Sequence, residues 1–265
     1  MTKKSLLGLL SFLVFLFIAC ETTEDILTPI EMERSVQVYL EGTEDTFEVH
    51  TFNTHVPGPV VFIIGGVHAN ERAGWMAAQA LLDETFERGI IHILPIAQRR
   101  TWLLDPPRRV YPGWQDLNRS FPGRPDGSPS EQLAYAIYNA IRATSPDLVI
   151  DLHESRFSYT EEGWIGDSLI LHLADYSLYV LEVLEQFNAL PLQENQTPFT
   201  YLNAPPVGSL NRTYSEQFDV PVLTVETNRQ AVTTAIDSEQ QPLSLRVAQQ
   251  LALIDIILET FKVSE

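Results

Sequence analysis

Residues 60–74 read VVFIIGGVHANERAG. Five apolar residues in a row, bounded upstream by Pro57-Gly58-Pro59, predict a short strand buried on both faces. Two glycines close the run and allow the backbone to turn sharply. His68 and Glu71 then stand on the turn, where an apolar core gains nothing from them and a divalent cation could be held by both. Past the turn, Trp75, Ala78, Leu81 and Leu82 share one helical face, which predicts a helix over residues 71–83.

The pattern repeats outward from this unit. Residues 90–94, 147–152 and 220–225 are further short apolar strands. Helices are predicted from Ser128 or Ser130 to about Ala143, over residues 175–187, and from Pro242 onward, where Leu243, Val247, Leu251, Ile254 and Leu258 keep helical spacing. All-apolar strands alternating with helices predict an α/β fold, a mostly parallel mixed sheet with helices on both faces. Residues 36–40 and 46–51 alternate apolar and polar residues around Glu41-Gly42-Thr43-Glu44, which adds an antiparallel hairpin at one edge. Residues 95–130 carry Pro95, Pro106, Pro107, Pro112, Pro122, Pro125 and Pro129. So long an irregular stretch within a domain points to function. Nothing resembles a linker after residue 35, so residues 36–265 are read as one domain.

The chain has 265 residues and a formal net charge of −18, which argues against a nucleic-acid partner. Lys3 and Lys4 precede an apolar run over residues 6–18, short for a membrane span and typical of an export signal. The run ends in Phe17-Ile18-Ala19-Cys20, and Cys20 is the only cysteine. This resembles the cleavage box of a bacterial lipoprotein. The expectation is a signal peptide over residues 1–19, a lipidated Cys20, an acidic tether over residues 20–35 and an extracytoplasmic body held to the membrane by its lipid anchor alone. An acidic body is repelled by anionic head groups, so the acyl chains must do the holding. No thiol remains for disulfides or soft metals.

In open α/β sheets, ligands gather at the carboxyl ends of strands. Three strand ends here carry metal-type or acid–base residues: His68 and Glu71, then His153 in Asp151-Leu152-His153-Glu154, then Glu226 after Val222-Leu223-Thr224-Val225. Zinc takes imidazole nitrogen and carboxylate oxygen, and a catalytic site keeps three protein ligands beside one open position. His68, Glu71 and His153 meet that count for one Zn²⁺ ion. Hydrolysis also needs a base, and Glu226 is the candidate, its apolar neighbours able to tune its pKa. His50, His55, His92 and His172 lack ligand-like spacing and are assigned to structure or surface.

The ordered set His68-x-x-Glu71, His153 and Glu226 resembles the zinc carboxypeptidase superfamily. The segments GGVHANE, DLNRSFPG, DLHE and VETN are closest to its succinylglutamate desuccinylase/aspartoacylase branch, over roughly residues 58–230. The resemblance implies His68, Glu71 and His153 as zinc ligands and Glu226 as general base. It implies Asn118 and Arg119 as the grip on a substrate carboxylate, a role that suits the planar guanidinium. Asp116 would orient the first zinc histidine. An Arg upstream of DLNR, Arg108 or Arg109 with Arg108 slightly favoured, would polarise the scissile carbonyl. The substrate-facing tyrosine has two candidates, Tyr201 and Tyr214.

These residues lead to the expectation of a zinc-dependent hydrolase of C–N amide bonds, foremost a metallocarboxypeptidase, acting on a small-molecule or peptide substrate with a free carboxylate. The resembling acyl-amino-acid enzymes continue into a small β-domain after the base, whereas residues 227–265 here read as a loop and one helix, closer to a bare peptidase domain. An N-acyl amino-acid deacylase is the alternative with the same chemistry. A lipoprotein that binds a ligand without catalysis is the alternative from another class.

Overall fold

Period-two alternation decides which way each strand's residues face. In β3 (Val60–Gly65), Val61 and Ile63 join one buried cluster while Phe62 and Ile64 join the other. In β5 (Leu148–Ser155), Leu148, Ile150 and Leu152 face the first cluster and Val149 the second. Both faces are therefore apolar, and each is covered by helices. Helices α1 (Arg72–Ala80), α4 (Ser177–Asn188) and α6 (Leu243–Thr260) close the first face. Helices α3 (Pro129–Thr144) and α5 (Leu210–Phe218) close the second. A single-turn α2 (Arg99–Trp102) opens the long proline-rich loop. This computed structural model describes residues 32–156, 165–193, 196–229 and 241–261.

The sheet has eight strands, completed by β1 (Glu33–Tyr39), β2 (Phe47–Asn53), β4 (Ile90–Leu94), β6 (Ser168–Leu171), β7 (Thr200–Leu202) and β8 (Val222–Asn228). Their order is β1-β2-β4-β3-β5-β8-β6-β7. The β1–β2 hairpin forms one edge and is antiparallel, as are the β2–β4 and β6–β8 pairs. The core run β4-β3-β5-β8 is parallel. This is the mixed, mostly parallel α/β sheet expected. In it β3, β5 and β8 are neighbours whose carboxyl ends share one edge, which brings together residues distant in sequence.

The predicted elements are all present, with shifted ends. Ser128 caps α3 through a reciprocal capping box with Glu131, so the helix starts one residue later, at Pro129. Strand β1 begins at Glu33, inside the stretch expected to be tether. The reason is Arg34, whose guanidinium donates to the Leu82 and Glu84 carbonyls and lies 5.1 Å from the Phe52 ring centroid. Strands β5 and β8 run on past their apolar residues, to Ser155 and Asn228, because they pair with each other through polar residues. Strands β6 and β7 and helix α5 had no prediction. The two strands are only four and three residues long, and α5 is polar along most of its length, with Ser209 as its cap.

The expected signal peptide, Cys20 and the expected tether as far as residue 31 lie outside the described residues. Among the described residues no helix is long and apolar enough to cross a membrane.

Candidate active site

His68 and Glu71 sit on the turn between β3 and α1. Gly66 turns the chain there with φ +69°, a conformation that favours glycine. His153 lies on β5 and is paired in register with Glu226 on β8. The parallel ladder therefore sets the third ligand candidate beside the base candidate.

His68, Glu71 and His153 are each 2% exposed, and each offers a ligand atom within 4.8 Å of the others. His68 Nδ1 is 3.0 Å from Glu71 Oε1 and 3.1 Å from His153 Nδ1. His153 Nδ1 is 2.6 Å from Glu71 Oε2. Both Nε2 atoms face carboxylates, His68 toward Asp116 Oδ1 at 2.8 Å and His153 toward Asp151 Oδ1 at 3.0 Å. Carboxylates at Nε2 favour the proton on that nitrogen, which leaves two Nδ1 lone pairs and a carboxylate aimed at one point. Such a cluster is repulsive unless a cation or proton sits in it. The nitrogen and oxygen donors, without thiolate, fit zinc. Glu71 and His153 hold one another in their charged forms. Burial opposes ionisation of Glu71, yet His68 and His153 hold its carboxyl far below the usual range. Burial likewise opposes charge on His153, but Asp151 and Glu71 raise it well above an ordinary imidazole.

Glu226 is 7% exposed, and its Oε2 has no hydrogen-bond partner. Burial first, then Glu71 and Asp151, push its carboxyl up to about 8, against the pull of His153 and Arg109. A group poised there suits proton transfer near neutral pH.

The long loop closes over one side. Arg109 donates to Glu71 Oε1 at 2.9 Å and bridges to Asp116 Oδ2 at 3.0 Å. Arg109, not the favoured Arg108, lines the cleft. Arg108 follows two prolines and stays exposed outside it. Asn118 Oδ1 accepts from the Leu210 amide at the start of α5, and Arg119 Nη1 donates to the Asn118 carbonyl. Asn118 and Arg119 both line the cleft, a cavity of about 660 Å³ that also contains His68, Glu71, His153 and Glu226. The candidate ligands, base and carboxylate grip meet here with Arg109, and Asp116 lies immediately behind His68; Arg108 and both candidate tyrosines do not line the cleft.

Neither candidate tyrosine is among the cleft's lining residues. Tyr214 packs with Tyr138 and Phe218 beneath α3, and Tyr201 packs against the opposite helical layer. His50, His55 and His172 lie beside glutamates remote from the centre, and His92 is bonded to Thr51 Oγ1. The cleft also includes residues with no prediction, notably Arg156, Arg229, Asn211 and the 202–206 segment. Arg156 follows the DLHE segment after Ser155, and Arg229 follows VETN directly, a cue of strand-end cations. Asn211 had no cue, because α5 itself was not predicted.

The sequence profile of the succinylglutamate desuccinylase/aspartoacylase catalytic domain matches residues 57–248. The chain belongs to this family. The matched span takes in every cleft residue named above and bears out the resemblance drawn over roughly residues 58–230. Within the family's reach, a segment of 106 residues is 36% identical to the N-alpha-acetyl-L-2,4-diaminobutyric acid deacetylase of Halomonas elongata, covering 36% of this chain and 28% of that protein. The similarity therefore spans under a third of that relative's length. Among solved structures, an aspartoacylase family protein from Mesorhizobium loti has TM-score 0.59 at 24% identity, over 92% of this chain and 71% of that one. The cell shape determinant protein Csd4 of Helicobacter pylori has TM-score 0.65 at 16% identity, over 88% and 56%. Csd4 in its mDAP-bound form is described as a D,L-carboxypeptidase. At these identities the structural likeness establishes the fold. The family and the relatives named here are hydrolases, among them a deacetylase and a D,L-carboxypeptidase.

Proposed function

We propose that this chain is a zinc-dependent hydrolase that cleaves the C–N bond of an amide lying next to a free carboxylate, acting as a metallocarboxypeptidase. The observation that carries the reading is the pairing of two facing Nδ1 atoms and Glu71 with a buried Glu226, whose Oε2 has no hydrogen-bond partner, in one cleft. Zinc held by His68, Glu71 and His153 would supply an acidified water and a Lewis acid for the scissile carbonyl. Asp116 keeps the His68 Nε2 proton turned away from the ligand side, and Asp151 Oδ1 lies 3.0 Å from His153 Nε2. Asn118 and Arg119 grip the substrate carboxylate and so set the amide's position. Arg109 stabilises the oxygen on which negative charge develops. Glu226 takes the proton from the attacking water and delivers it to the departing amine.

Glu226→Gln tests the assignment. It should retain one equivalent of zinc and lose at least ~10² in turnover. Undiminished turnover in a preparation free of other hydrolases rejects Glu226 as the base. A second reading, an N-acyl amino-acid deacylase, is favoured by the 36% identical segment shared with a deacetylase. Parallel assays separate the two: stepwise loss of C-terminal residues from peptides supports the first, and release of acetate or succinate from acyl amino acids supports the second. The export signal and Cys20 further suggest a lipid-anchored protein outside the cytoplasm, where peptides of the envelope are at hand. Metabolic labelling with a fatty acid, lost in Cys20→Ala, is the check.

A further inference from the structure

Helix α6 touches the site's framework from beneath at several points. Gln250 Nε2 donates to the His153 carbonyl at 2.8 Å and to Thr227 Oγ1 at 3.0 Å. Arg246 pairs with Glu154 Oε1, and Glu154 Oε2 accepts from the Ala73 amide at 3.1 Å. The Glu154 amide in turn donates to Glu71 Oε2 at 3.2 Å. Each contact lands on a site residue or within two residues of one. Gln250 holds His153 itself and Thr227 beside Glu226, while Glu154, next to His153, holds the start of α1 just past Glu71.

This polarity is costly. Arg246, Gln249 and Gln250 are spaced i, i+3 and i+4, so they share one helical face, and all are buried. Farther along, α6 buries Leu253, Ile254 and Ile257. Leucines in the first turns would serve packing as well. A buried ion pair adds little to stability against apolar residues of similar volume, whereas its directional bonds select one geometry. Those bonds converge on the ends of β5 and β8 and the start of α1, where the site is built and small errors in spacing matter most.

We propose that Glu154, Arg246 and Gln250 form a positioning clasp through which α6 sets the spacing of Glu71, His153 and Glu226, and that the clasp governs metal affinity and coordination geometry more than it governs folding. The inference rests on the metal-centre reading above. None of the three is a catalytic residue, since their side chains reach the centre only through other groups.

The test uses the full chain, stripped of metal and titrated with zinc against a chromophoric chelator. The same chain loaded with Co²⁺ is followed by its visible absorption. Gln250→Leu removes both amide bonds at nearly constant volume. The double variant Glu154→Gln/Arg246→Met removes both buried charges, so neither is left unpaired. Both variants should hold the melting temperature of the metal-free protein within about 3 °C, weaken zinc binding about 10–100-fold, and alter the Co²⁺ bands. Unchanged affinity and spectrum in variants of a metal-binding wild type overturn the clasp alone. So does a loss of affinity that merely follows a fall in melting temperature, or a failure of both variants to fold, since either makes the contacts structural. A wild-type chain that takes up neither Zn²⁺ nor Co²⁺ overturns the metal-centre reading, and the clasp with it.

Discussion

At the scale of single residues, the chemistry depends on which atom of each side chain faces inward. Asp116 accounts for much of this for His68, through the 2.8 Å contact to Nε2. Asp116→Asn keeps a similar shape but loses the charge that raises imidazole basicity and partners Arg109. It should weaken zinc binding by about tenfold or more, read by chelator competition. Asp167 is a different case. It is 2% exposed, its Oδ1 accepts from the Asn228 amide at 2.8 Å, and its Oδ2 has no partner. Burial pushes its carboxyl up to about 7, against the lowering effect of that amide. The unfolded value is near ~3.9. The folded chain therefore binds the extra proton between about pH 4 and 7, and stability falls as pH rises through that window. Asp167→Asn keeps the acceptor for Asn228 and removes the buried charge. The variant should be more stable than wild type by about 1–3 kcal/mol at pH 8 and converge with it near pH 4. Denaturant titrations across pH give the difference, and a gain independent of pH refutes the assignment.

At the scale of elements, helix α1 is the carrier of Glu71, and its placement hinges on Gly74. A Cβ there would meet the Leu152 carbonyl oxygen at 2.5 Å, on the strand that carries His153. Alanine normally improves a helix interior by about 1 kcal/mol over glycine. Here Gly74→Ala should instead cost about 1–3 kcal/mol by forcing helix and strand apart, and zinc affinity should fall with it. A melting temperature equal to or above wild type argues against this packing. Helices α1, α3, α4 and α6 were legible because each buries one face at helical spacing beside a recognisable start. Strands β6 and β7 were not, since a run such as Ser168–Leu171 is too short to show a period. Helix α5 was hidden by its polar residues, two of which, Asn211 and Ser215, are buried by tertiary packing.

At the scale of the whole molecule, one cation would join the end of β5 to the turn between β3 and α1. Binding to the folded chain alone stabilises it, by about 2.7 kcal/mol at a hundredfold excess over Kd. Saturating zinc should therefore raise the melting temperature by about 5–10 °C, and Glu71→Gln should abolish most of the rise. An equal shift in that variant places the ion elsewhere. By itself, the sequence determined the α/β architecture, the edge hairpin, the metal-type triad and the glutamate opposite it. Apolar periodicity and strand-end chemistry are local properties, written within a few residues of where they act. Only the tertiary structure decided that β3, β5 and β8 are neighbours, so that His153 and Glu226 stand side by side. It likewise put Arg109 rather than Arg108 in the cleft, left Tyr201 and Tyr214 out of its lining, and brought α6 under the centre. Those outcomes turn on which surfaces pack together across the sheet and which way a loop side chain swings, and neither is encoded by the spacing of residues along the chain.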